Sequence, residues 1–409
     1  SGSDGLANLP VSASTSSLLV PGYRYDSDDD ADPDRSLLLL DLANEVVVDI
    51  TNHAEFCALG FTTDGDAVWA AGDRSLGVRD ASTGATTSIQ IPDTIDGTIS
   101  TSPGSLQAVE EFISVTLGGA DSPSDQTILL SRAGSLHCAG PTGTELTSHA
   151  GFLWSDDART RVDPTTCAIT GGLNLPTDQR LEALRVDGTS AYVALAGPDT
   201  PGSAASEISL GTVRRFDVAT GQQSAVGPSI PLEVPEMVVH GEEVWVLSGQ
   251  ELTRLDATTL AMIAVTPLPS QVVECDGWPR LVPQADRVFL LDECTATLYL
   301  LDPETGATRS GWMLPSGGES DFEITEIPTE EGIWMADFDQ TQLPFLFDTA
   351  ELRFERPPVN APATTSILAW DFAVHPDPPP EGRPAPSTTA PVTTDRATGP
   401  TSPGVAPPE

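Results

Sequence analysis

The stretch LYLLDPETGATRSGWMLP at 298–315 is one copy of a pattern that recurs along the chain. In this copy a short apolar strand ends at Asp302, a turn of the type x-x-T-G follows, and a second strand stops at a proline. Other copies lie at 76–92, 160–176, 213–226 and 252–265, with weaker ones at 37–50 and 343–357. The aspartate accepts hydrogen bonds from turn amides, and the glycine supplies the positive φ that closes a hairpin. Each copy therefore predicts a β-hairpin.

The spacing of these turns sets the number of repeats. The turn aspartates are Asp41, Asp80, Asp163, Asp217, Asp256, Asp302 and Asp348, at successive intervals of 39, 83, 54, 39, 46 and 46 residues. The interval of 83 holds two units, because ILLSRAGSLHCAG at 128–140 repeats the pattern without its aspartate. Eight turns result.

A further strand, rich in aromatic and β-branched residues, precedes most of these turns. Examples are DAVWAAG (66–72), GFLWSDD (151–157), EVWVLSG (243–249) and GIWMADF (332–338). Four short strands in about 40–46 residues make a propeller blade. We therefore predict an all-β β-propeller of eight four-stranded blades, or of seven if the weak unit at 144–177 packs irregularly.

Closure of the ring is predicted from the two ends of the repeat region. SILAWDF at 366–372 reads as a strand with only proline-rich sequence after it, while the first unit has little before it. We expect the C-terminal strand to complete the N-terminal blade, which removes exposed sheet edges. GYRY at 22–25 is a rival for the same position.

Three segments are predicted from composition: a flexible tether at 1–20, the propeller at 21–376 and a disordered tail at 377–409. The tail consists mainly of Pro, Thr, Ser and Ala, with little to bury. The opening SGSDGLANLPVSASTSS is a small polar run that is typical of the tether behind a lipid-anchored cysteine, and equally of an expression remnant.

The repeats resemble the YVTN and quinoprotein-like bacterial propellers, in which VIDPATG-type turns follow YVAN-type strands. The resemblance covers about 37–372 and implies a shared fold without a shared activity. Quinoprotein blades repeat a motif in which Trp follows Asp-x-x-Thr-Gly, whereas this chain has it once, at Asp302, Thr305, Gly306 and Trp312, with a longer spacing. We therefore expect no quinone. The absence of a C-x-x-C-H motif indicates no covalent haem.

The charge balance excludes several classes of partner. The chain has 60 acidic and 19 basic residues, a formal net charge of −41, and every basic residue is Arg. Such a field repels phosphate backbones and anionic membrane surfaces, so we expect no nucleic-acid binding. Without Lys there is neither Schiff-base chemistry nor P-loop nucleotide binding. Cations and basic partner surfaces are attracted, although an acidic surface is also typical of adaptation to high salt.

Calcium is the one cofactor that the sequence indicates. The run DSDDDADPD places five carboxylates at alternate positions, which are Asp26, Asp28, Asp30, Asp32 and Asp34. Alternating carboxylates can surround a hard cation with oxygen ligands. The run lacks the glycine and the final glutamate of an EF-hand, and the alternative is a solvated acidic loop between two strands.

Five cysteines indicate an oxidising compartment, and we expect an extracytoplasmic protein, secreted or held at a bacterial cell surface. Cys275 and Cys294 fall in two loops of one blade and form the first predicted disulfide. Cys138 and Cys167 form the second, and Cys57 is left over. No stretch approaches the ~20 apolar residues that a membrane span requires.

Propellers usually bind ligands on the face that carries the connections between blades and the loops between second and third strands. The residues predicted for this binding face are Asp73, Asp292, Asp337, Asp339 and His53. By repeat alignment His240 falls in a hairpin turn, as Asp64 does in an earlier repeat, and His149 precedes an equivalent turn, so neither is expected to be catalytic. His137 lies in a strand beside Cys138, and His375 at the proline-rich exit.

Two functional hypotheses follow. The first is a non-enzymatic, surface-tethered interaction propeller that presents an acidic loop face to a protein or glycan. The second is a metal-dependent hydrolase or lyase at the channel mouth, with carboxylates such as Glu274, Asp276, Asp321 and Glu323. We favour the first, because no spacing in the chain predicts a catalytic constellation.

Overall fold

The computed structural model is built of antiparallel β-sheets, and its described residues contain no helix. The structure describes residues 17–24, 34–41, 46–49, 61–63, 67–71, 75–80, 85–91, 94–95, 98–99, 103–109, 111–117, 126–142, 146–149, 151–155, 157–197, 209–233, 235–249, 251–269, 279–284, 286–293, 295–315, 324–328, 332–337, 344–355, 365–367 and 373–374. The chain divides into two compact units, Ser1–Asp377 and Pro378–Glu409, and the described residues belong to the first.

The described strands form eight sheets of four or five strands that follow one another along the chain, and one additional two-stranded pair. Sheet I begins with β1 (Ser17–Arg24), β2 (Asp34–Asp41) and β3 (Val46–Asp49). Sheet II comprises β4 (Phe61–Thr63), β5 (Ala67–Ala71), β6 (Ser75–Asp80) and β7 (Thr86–Gln90). The short pair β8 (Thr94–Ile95) and β9 (Thr98–Ile99) lies in the connection to sheet III.

Sheet III comprises β10 (Pro103–Val109), β11 (Phe112–Leu117), β12 (Gln126–Ser131) and β13 (Leu136–Thr142). Sheet IV comprises β14 (Leu146–His149), β15 (Phe152–Ser155), β16 (Thr160–Val162) and β17 (Ile169–Gly171). Sheet V comprises β18 (Arg180–Asp187), β19 (Ser190–Ala196), β20 (Ser209–Asp217) and β21 (Gln223–Leu232). The weak unit at 144–177 is thus a four-stranded sheet like its neighbours.

Sheet VI comprises β22 (Glu236–His240), β23 (Glu243–Ser248), β24 (Glu251–Asp256) and β25 (Met262–Pro267). Sheet VII comprises β26 (Arg280–Gln284), β27 (Arg287–Asp292), β28 (Thr297–Leu301) and β29 (Thr308–Met313). Sheet VIII comprises β30 (Ile324–Pro328), β31 (Gly332–Asp337), β32 (Phe345–Asp348) and β33 (Arg353–Glu355). The last strands, β34 (Thr365–Ile367) and β35 (Ala373–Val374), return to sheet I.

Sheet I joins the two ends of the repeat region. Strand β1 pairs with β2 along its whole length, and on its other edge with both β34 and β35. The rival segments of the sequence analysis therefore lie side by side, because Gly22 and Tyr23 of GYRY are opposite Ile367 and Ser366. Strand β1 begins at Ser17, four residues before the predicted boundary at 21, since the apolar run at 18–20 pairs with the leucines of β2.

Sheets II to VIII pack face to face in chain order. Six hydrophobic clusters each combine residues of two successive sheets, from the pair II–III to the pair VII–VIII. First strands of neighbouring sheets lie together, with β4 beside β10, β10 beside β14, β18 beside β22, β22 beside β26 and β26 beside β30. Strands are buried on both faces in this arrangement, which explains why every residue of β11 is buried, including Ser114 and Thr116.

The aromatic strands of the sequence analysis are the second strands of their sheets, and their third residue packs against the following sheet. Trp69, Trp154, Tyr192, Trp245 and Phe289 occupy this position, and each is at most 3% exposed. Each belongs to the cluster shared with the next sheet. Truncating a buried Trp or Phe costs about 3–5 kcal/mol, so this layer is a main source of cohesion between sheets.

Candidate functional site

The antiparallel order gives every sheet two ends of different character. Turns between first and second strands and between third and fourth strands share one end, which we call the turn end. Loops between second and third strands and connections between sheets share the other, which we call the loop end. The predicted binding face corresponds to the loop end.

Most of the residues predicted for the binding face lie outside the described residues. These are Asp73, Asp339 and His53, and also the calcium candidates Asp26, Asp28, Asp30 and Asp32, the cysteines Cys57, Cys275 and Cys294, His375, and the hydrolase candidates Glu274, Asp276, Asp321 and Glu323. Asp337 is the last residue of β31, and the structure describes its backbone but not its side chain.

Asp292 is placed, and its side chain faces inward. It ends β27, is 1% exposed, and its Oδ2 accepts a hydrogen bond from the Thr295 hydroxyl. The carboxylate is therefore hydrogen-bonded within the loop between β27 and β28. The sequence could not show this inward orientation, because loop position alone does not fix a rotamer.

The acidic run at 26–34 spans the connection of a hairpin. Strand β1 ends at Arg24 and β2 begins at Asp34, and these two residues are paired. The sequence analysis gave two interpretations of this run, a calcium site and a solvated acidic loop between two strands. A position between two paired strands is compatible with both.

Five turns between third and fourth strands share one hydrogen-bonding arrangement at the turn end. In each, Oδ1 of the aspartate accepts bonds from backbone amides two or three residues later, as at Asp256, where Thr258 N and Thr259 N donate at 3.1 and 2.7 Å. The other four are Asp163, Asp217, Asp302 and Asp348. The predicted role of the aspartate is the one observed.

These bonds stabilise the ionised carboxylates. The Thr166 amide lowers the pKa of Asp163, and the hydroxyls of Thr220 and Thr259 lower the pKa values of Asp217 and Asp256. At Asp302 partial desolvation acts upward, but bonds from Thr305, Glu304 and Arg309 outweigh it and the pKa is again lowered. All four carboxylates therefore remain charged at neutral pH.

The fifth residue of these turns has a positive φ, but glycine fills the position only twice. Gly221 and Gly306 have φ of 66° and 74°, whereas Cys167, Leu260 and Leu352 have φ of 56–58°. Leu260 is fully buried in the cluster shared by sheets V and VI, and packing offsets its backbone strain. This explains why LDATTL and FDTAEL fold like the x-x-T-G copies.

Each of these turns is held by the sheet that precedes it. Arg161 donates to the carbonyls of Val218 and Ala219 in the next sheet, and Arg287 donates to Thr349 O. Arg215 donates to Thr258 O at 3.5 Å, and the Tyr192 hydroxyl donates to Ala257 O at 3.0 Å. Sequence reasoning missed this contact, although its signal is visible: Arg161, Arg215 and Arg254 all stand two residues before a turn aspartate.

Arg254 makes the most complete of these contacts. Its side chain is 3% exposed and pairs with Glu243 through two bonds of 2.7 Å. It also donates to the carbonyls of Pro303 and Glu304 in sheet VII and lies 5.0 Å from the Trp245 ring centroid. The guanidinium therefore combines an ion pair, a cation–π contact and an inter-sheet bond.

A disulfide holds the turn of sheet IV. Cys138 of β13 is bonded to Cys167, the fifth residue of the Asp163 turn, with a Cα–Cα distance of 5.9 Å. This is the second of the two predicted pairs. It joins the outer strand of sheet III to the turn of sheet IV. In later sheets an arginine makes the corresponding contact, so the disulfide serves as a covalent link between two sheets.

The described histidines take structural positions. His240 ends β22, precedes Gly241 with its φ of 60°, and contacts the Trp245 ring edge-on at 5.9 Å between centroids. His149 ends β14. His137 stacks on Phe112 at 4.3 Å, and its Nε2 is 3.2 Å from Thr165 O. The hairpin position predicted for His240 agrees with this placement.

The described part of the loop end carries paired charges. Arg280, the first residue of β26, pairs with Glu293 at 2.5 Å, and Glu236 of β22 accepts a bond from Leu281 N of the next sheet. Arg159 donates to Pro176 O and lies 3.7 Å from Asp157. Basic side chains here are bound to the protein itself.

Internal bonding of arginine extends over the whole described region. Ten arginines donate hydrogen bonds within the chain: Arg159, Arg161, Arg180, Arg214, Arg215, Arg254, Arg280, Arg287, Arg309 and Arg353. The chain has only 19 basic residues against 60 acidic ones. Several of these arginines are still more than half exposed, for example Arg180 at 56% and Arg309 at 54%, so the bonds fix their positions without removing their charge from the surface.

Among the described residues, one group of side chains has the composition of a metal site, namely His137, Cys138 and Cys167. The two sulfurs are joined in the disulfide. No helix in the described segments is long and apolar enough to cross a membrane.

Comparison with known proteins identifies a fold. No protein-family model matches the chain, and no curated protein matches it. Among solved structures it is similar to the dihydro-heme d1 dehydrogenase NirN in complex with DHE (TM-score 0.55, 11% identity, 90% of this chain and 78% of that one). It is also similar to Sqt1 of Saccharomyces cerevisiae (TM-score 0.52, 11% identity, 79% and 89%) and to the computationally designed Ika8 protein (TM-score 0.52, 13% identity, 74% and 87%).

At identities of 11–13% these similarities concern the architecture and not the activity. The predicted resemblance to propeller repeat proteins is confirmed at the level of the fold. The chain is an all-β protein with sheets of four antiparallel strands and the β-propeller fold.

Proposed function

We propose that this protein is a non-enzymatic interaction propeller of eight blades, closed by its N- and C-terminal strands, which presents an acidic loop face to a protein or glycan. The eight successive sheets support the blade number. The pairing of β1 with β34 and β35 supports closure within sheet I, and β35 also lies near β4 of sheet II.

One observation carries the functional part of the proposal: the arginines are engaged internally while the carboxylates outnumber them. A chain with a net charge of −41, in which ten of the described arginines already donate hydrogen bonds within the protein, attracts a basic partner and repels anions. Stacked sheets form a rigid scaffold for loops, and such loops commonly carry binding functions.

We propose an extracytoplasmic location, secreted or at the cell surface. The Cys138–Cys167 disulfide supports it, because disulfides persist mainly in oxidising compartments. A test is the labelling of free thiols in intact cells and in cells lysed under alkylating conditions. Reduced Cys138 and Cys167 in the native population would contradict the proposal.

We also propose that the hairpin connection bearing Asp26, Asp28, Asp30, Asp32 and Asp34 binds calcium. Its support is the alternating carboxylates between paired strand ends. Metal content by mass spectrometry and melting temperatures in calcium and in chelator test it. Equal melting temperatures of wild type and of a variant with all five aspartates replaced by Asn, with and without calcium, would refute it.

The interaction is tested by site-specific photocross-linking to a cell-envelope fraction. One variant carries benzoylphenylalanine at Asp178, an exposed residue in the connection between sheets IV and V at the loop end. The matched variant carries it at Glu304, an exposed acidic residue in a turn at the opposite end. We expect one partner to be captured from Asp178 and not from Glu304.

Raising the salt to 1 M shortens the Debye length to about 3 Å, so capture should fall sharply if the partner is basic. Protease sensitivity of the captured species identifies a protein, and periodate sensitivity identifies a glycan. Capture at equal yield from both positions, or capture from neither, would refute an interaction through the loop face.

A further inference from the structure

The side chains of His137, Cys138 and Cys167 converge at the junction of sheets III and IV. One ring nitrogen and the two sulfurs lie within 4.8 Å of one another. His137 is exposed and both cysteines are partly exposed, so solvent and ions reach the group. Imidazole and thiolate are the ligand types that zinc prefers in proteins.

The orientation of His137 fits a metal ligand. A carbonyl oxygen only accepts, so Nε2, at 3.2 Å from Thr165 O, carries the proton, and Nδ1 of the neutral ring has a free lone pair. Metal-bound histidines usually donate their other ring N–H to such a carbonyl, which fixes the tautomer. Stacking on Phe112 holds the ring, and the bond from Thr165 N to Asp163 Oδ1 holds the carbonyl segment.

We propose that, once the Cys138–Cys167 bond is reduced, His137, Cys138 and Cys167 bind a Zn²⁺ ion that bridges sheets III and IV. A dithiol or phosphine reductant supplies two electrons and is itself oxidised, and two protons convert the S–S bond into two thiols. The ion then displaces both thiol protons and is held by two thiolates and Nδ1. Its fourth position is open to water.

The distances suit this ion. With Zn–S near 2.3 Å and Zn–N near 2.0 Å, a tetrahedral site spaces its ligand atoms by about 3.5–3.8 Å. The two sulfurs and one nitrogen of the His137 ring already lie within 4.8 Å of one another, so a three-ligand site needs only side-chain rotations once the S–S bond is open. The ion would occupy the place of the disulfide and preserve the connection between the sheets.

The ligand set selects against the cation proposed for the acidic hairpin. Calcium takes six to eight oxygen ligands, whereas two thiolates and an imidazole favour zinc. The net charge of −41 raises the local concentration of any cation but does not choose among them. The two metal sites are therefore independent proposals.

Cobalt titration of the reduced full-length protein tests the inference, because Co²⁺ substitutes for zinc and is coloured. We expect one equivalent to give a thiolate-to-cobalt charge-transfer band and the visible bands of a four-coordinate ion, both removed by excess zinc. The oxidised protein should give neither. His137→Gln should weaken binding at least tenfold, while the control His240→Gln should not.

Other thiols are controlled by Cys138→Ser/Cys167→Ser, which retains Cys57, Cys275 and Cys294 and should lack the bands. If reduction destabilises the protein, zinc should raise the melting temperature of the reduced wild type and leave that of the double variant unchanged. No bands in the reduced wild type, equal bands in the double variant, or an unchanged affinity in His137→Gln would each overturn the proposal.

Discussion

Arg254 is the most informative single residue of the inter-sheet contacts, and Arg254→Met tests their strength. The substitution keeps an unbranched apolar side chain of similar length against Trp245 and removes four hydrogen bonds, two to Glu243 and two to the turn carbonyls of sheet VII. Breaking a buried ion pair by removing one partner costs about 3–5 kcal/mol. Because Glu243 keeps 23% of its side chain exposed and can regain water, we expect about 3 kcal/mol.

Two further variants separate the contribution of the Arg254–Glu243 ion pair to stability from the nonspecific effect of replacing an arginine. Glu243→Gln/Arg254→Met removes both charges and should recover about 1.5 kcal/mol, since no uncompensated carboxylate remains. Arg309→Met removes a surface pair with Asp302 whose arginine side chain is 54% exposed, and should cost about 0.5 kcal/mol.

The assay is equilibrium urea unfolding at pH 7, followed by tryptophan fluorescence and by circular dichroism. Coincident transitions by the two probes permit conversion of midpoints to free energies. If Arg254→Met loses no more stability than Arg309→Met, or if the double variant is as unstable as the sum of its single changes, the contact between sheets does not depend on this guanidinium.

Three other predictions follow. Folding lowers the pKa values of four turn aspartates below the ordinary value of 3.8, namely Asp163, Asp217, Asp256 and Asp302. Their ionised carboxylates therefore stabilise the protein fully above about pH 4, and this stabilisation is lost as the pH falls through the lowered pKa values. In a plot of unfolding free energy against pH, Asp256→Asn should flatten the decline on the acid side, and the control Asp178→Asn, at an exposed position, should leave it unchanged. Gly221→Ala should lower the thermal midpoint more than Gly188→Ala, because both have positive φ but an added Cβ would lie 2.3 Å from Gly172 O only at Gly221; equal shifts would contradict the clash. Cys138→Ser/Cys167→Ser, measured in oxidising buffer, should lower the free energy of unfolding by about 3.5 kcal/mol, from the chain entropy of a loop with a separation of 29 residues. A loss below about 1 kcal/mol would show that the disulfide adds little stability.

Much of the architecture could be predicted from the sequence, because the hairpins depend on interactions between residues that are close together in the chain. The turn aspartates make bonds within three residues of themselves, so each copy of the pattern reveals its own hairpin. Aromatic residues at a fixed position of the second strand mark a buried layer in sheets II, IV, V, VI, VII and VIII. Because the pattern repeats at a similar spacing, the clear copies made the weaker copies recognisable.

The inter-sheet contacts could not be predicted in the same way. Arg254 and Pro303 are 49 residues apart, and only the stacking of sheet VI on sheet VII brings the guanidinium to that carbonyl. The same stacking places His137 beside Thr165. The Cys138–Cys167 bond also joins two sheets, but this pair was predicted from the sequence. A positive φ at Leu260 is likewise a tertiary effect, since burial in a cluster of two sheets offsets a local strain that disfavours leucine.

The sequence by itself determined the fold class, the position of every turn aspartate in the described hairpins, and the acidic, lysine-free chemistry of the chain. Only the tertiary structure decided which arginine side chains connect one sheet to the next, that Asp292 faces inward, and that His137 lies beside the predicted pair of Cys138 and Cys167. The physical reason is the range of the interactions: hydrogen bonds within a turn depend on neighbours in the chain, whereas contacts between sheets depend on how the seven stacked sheets II to VIII align.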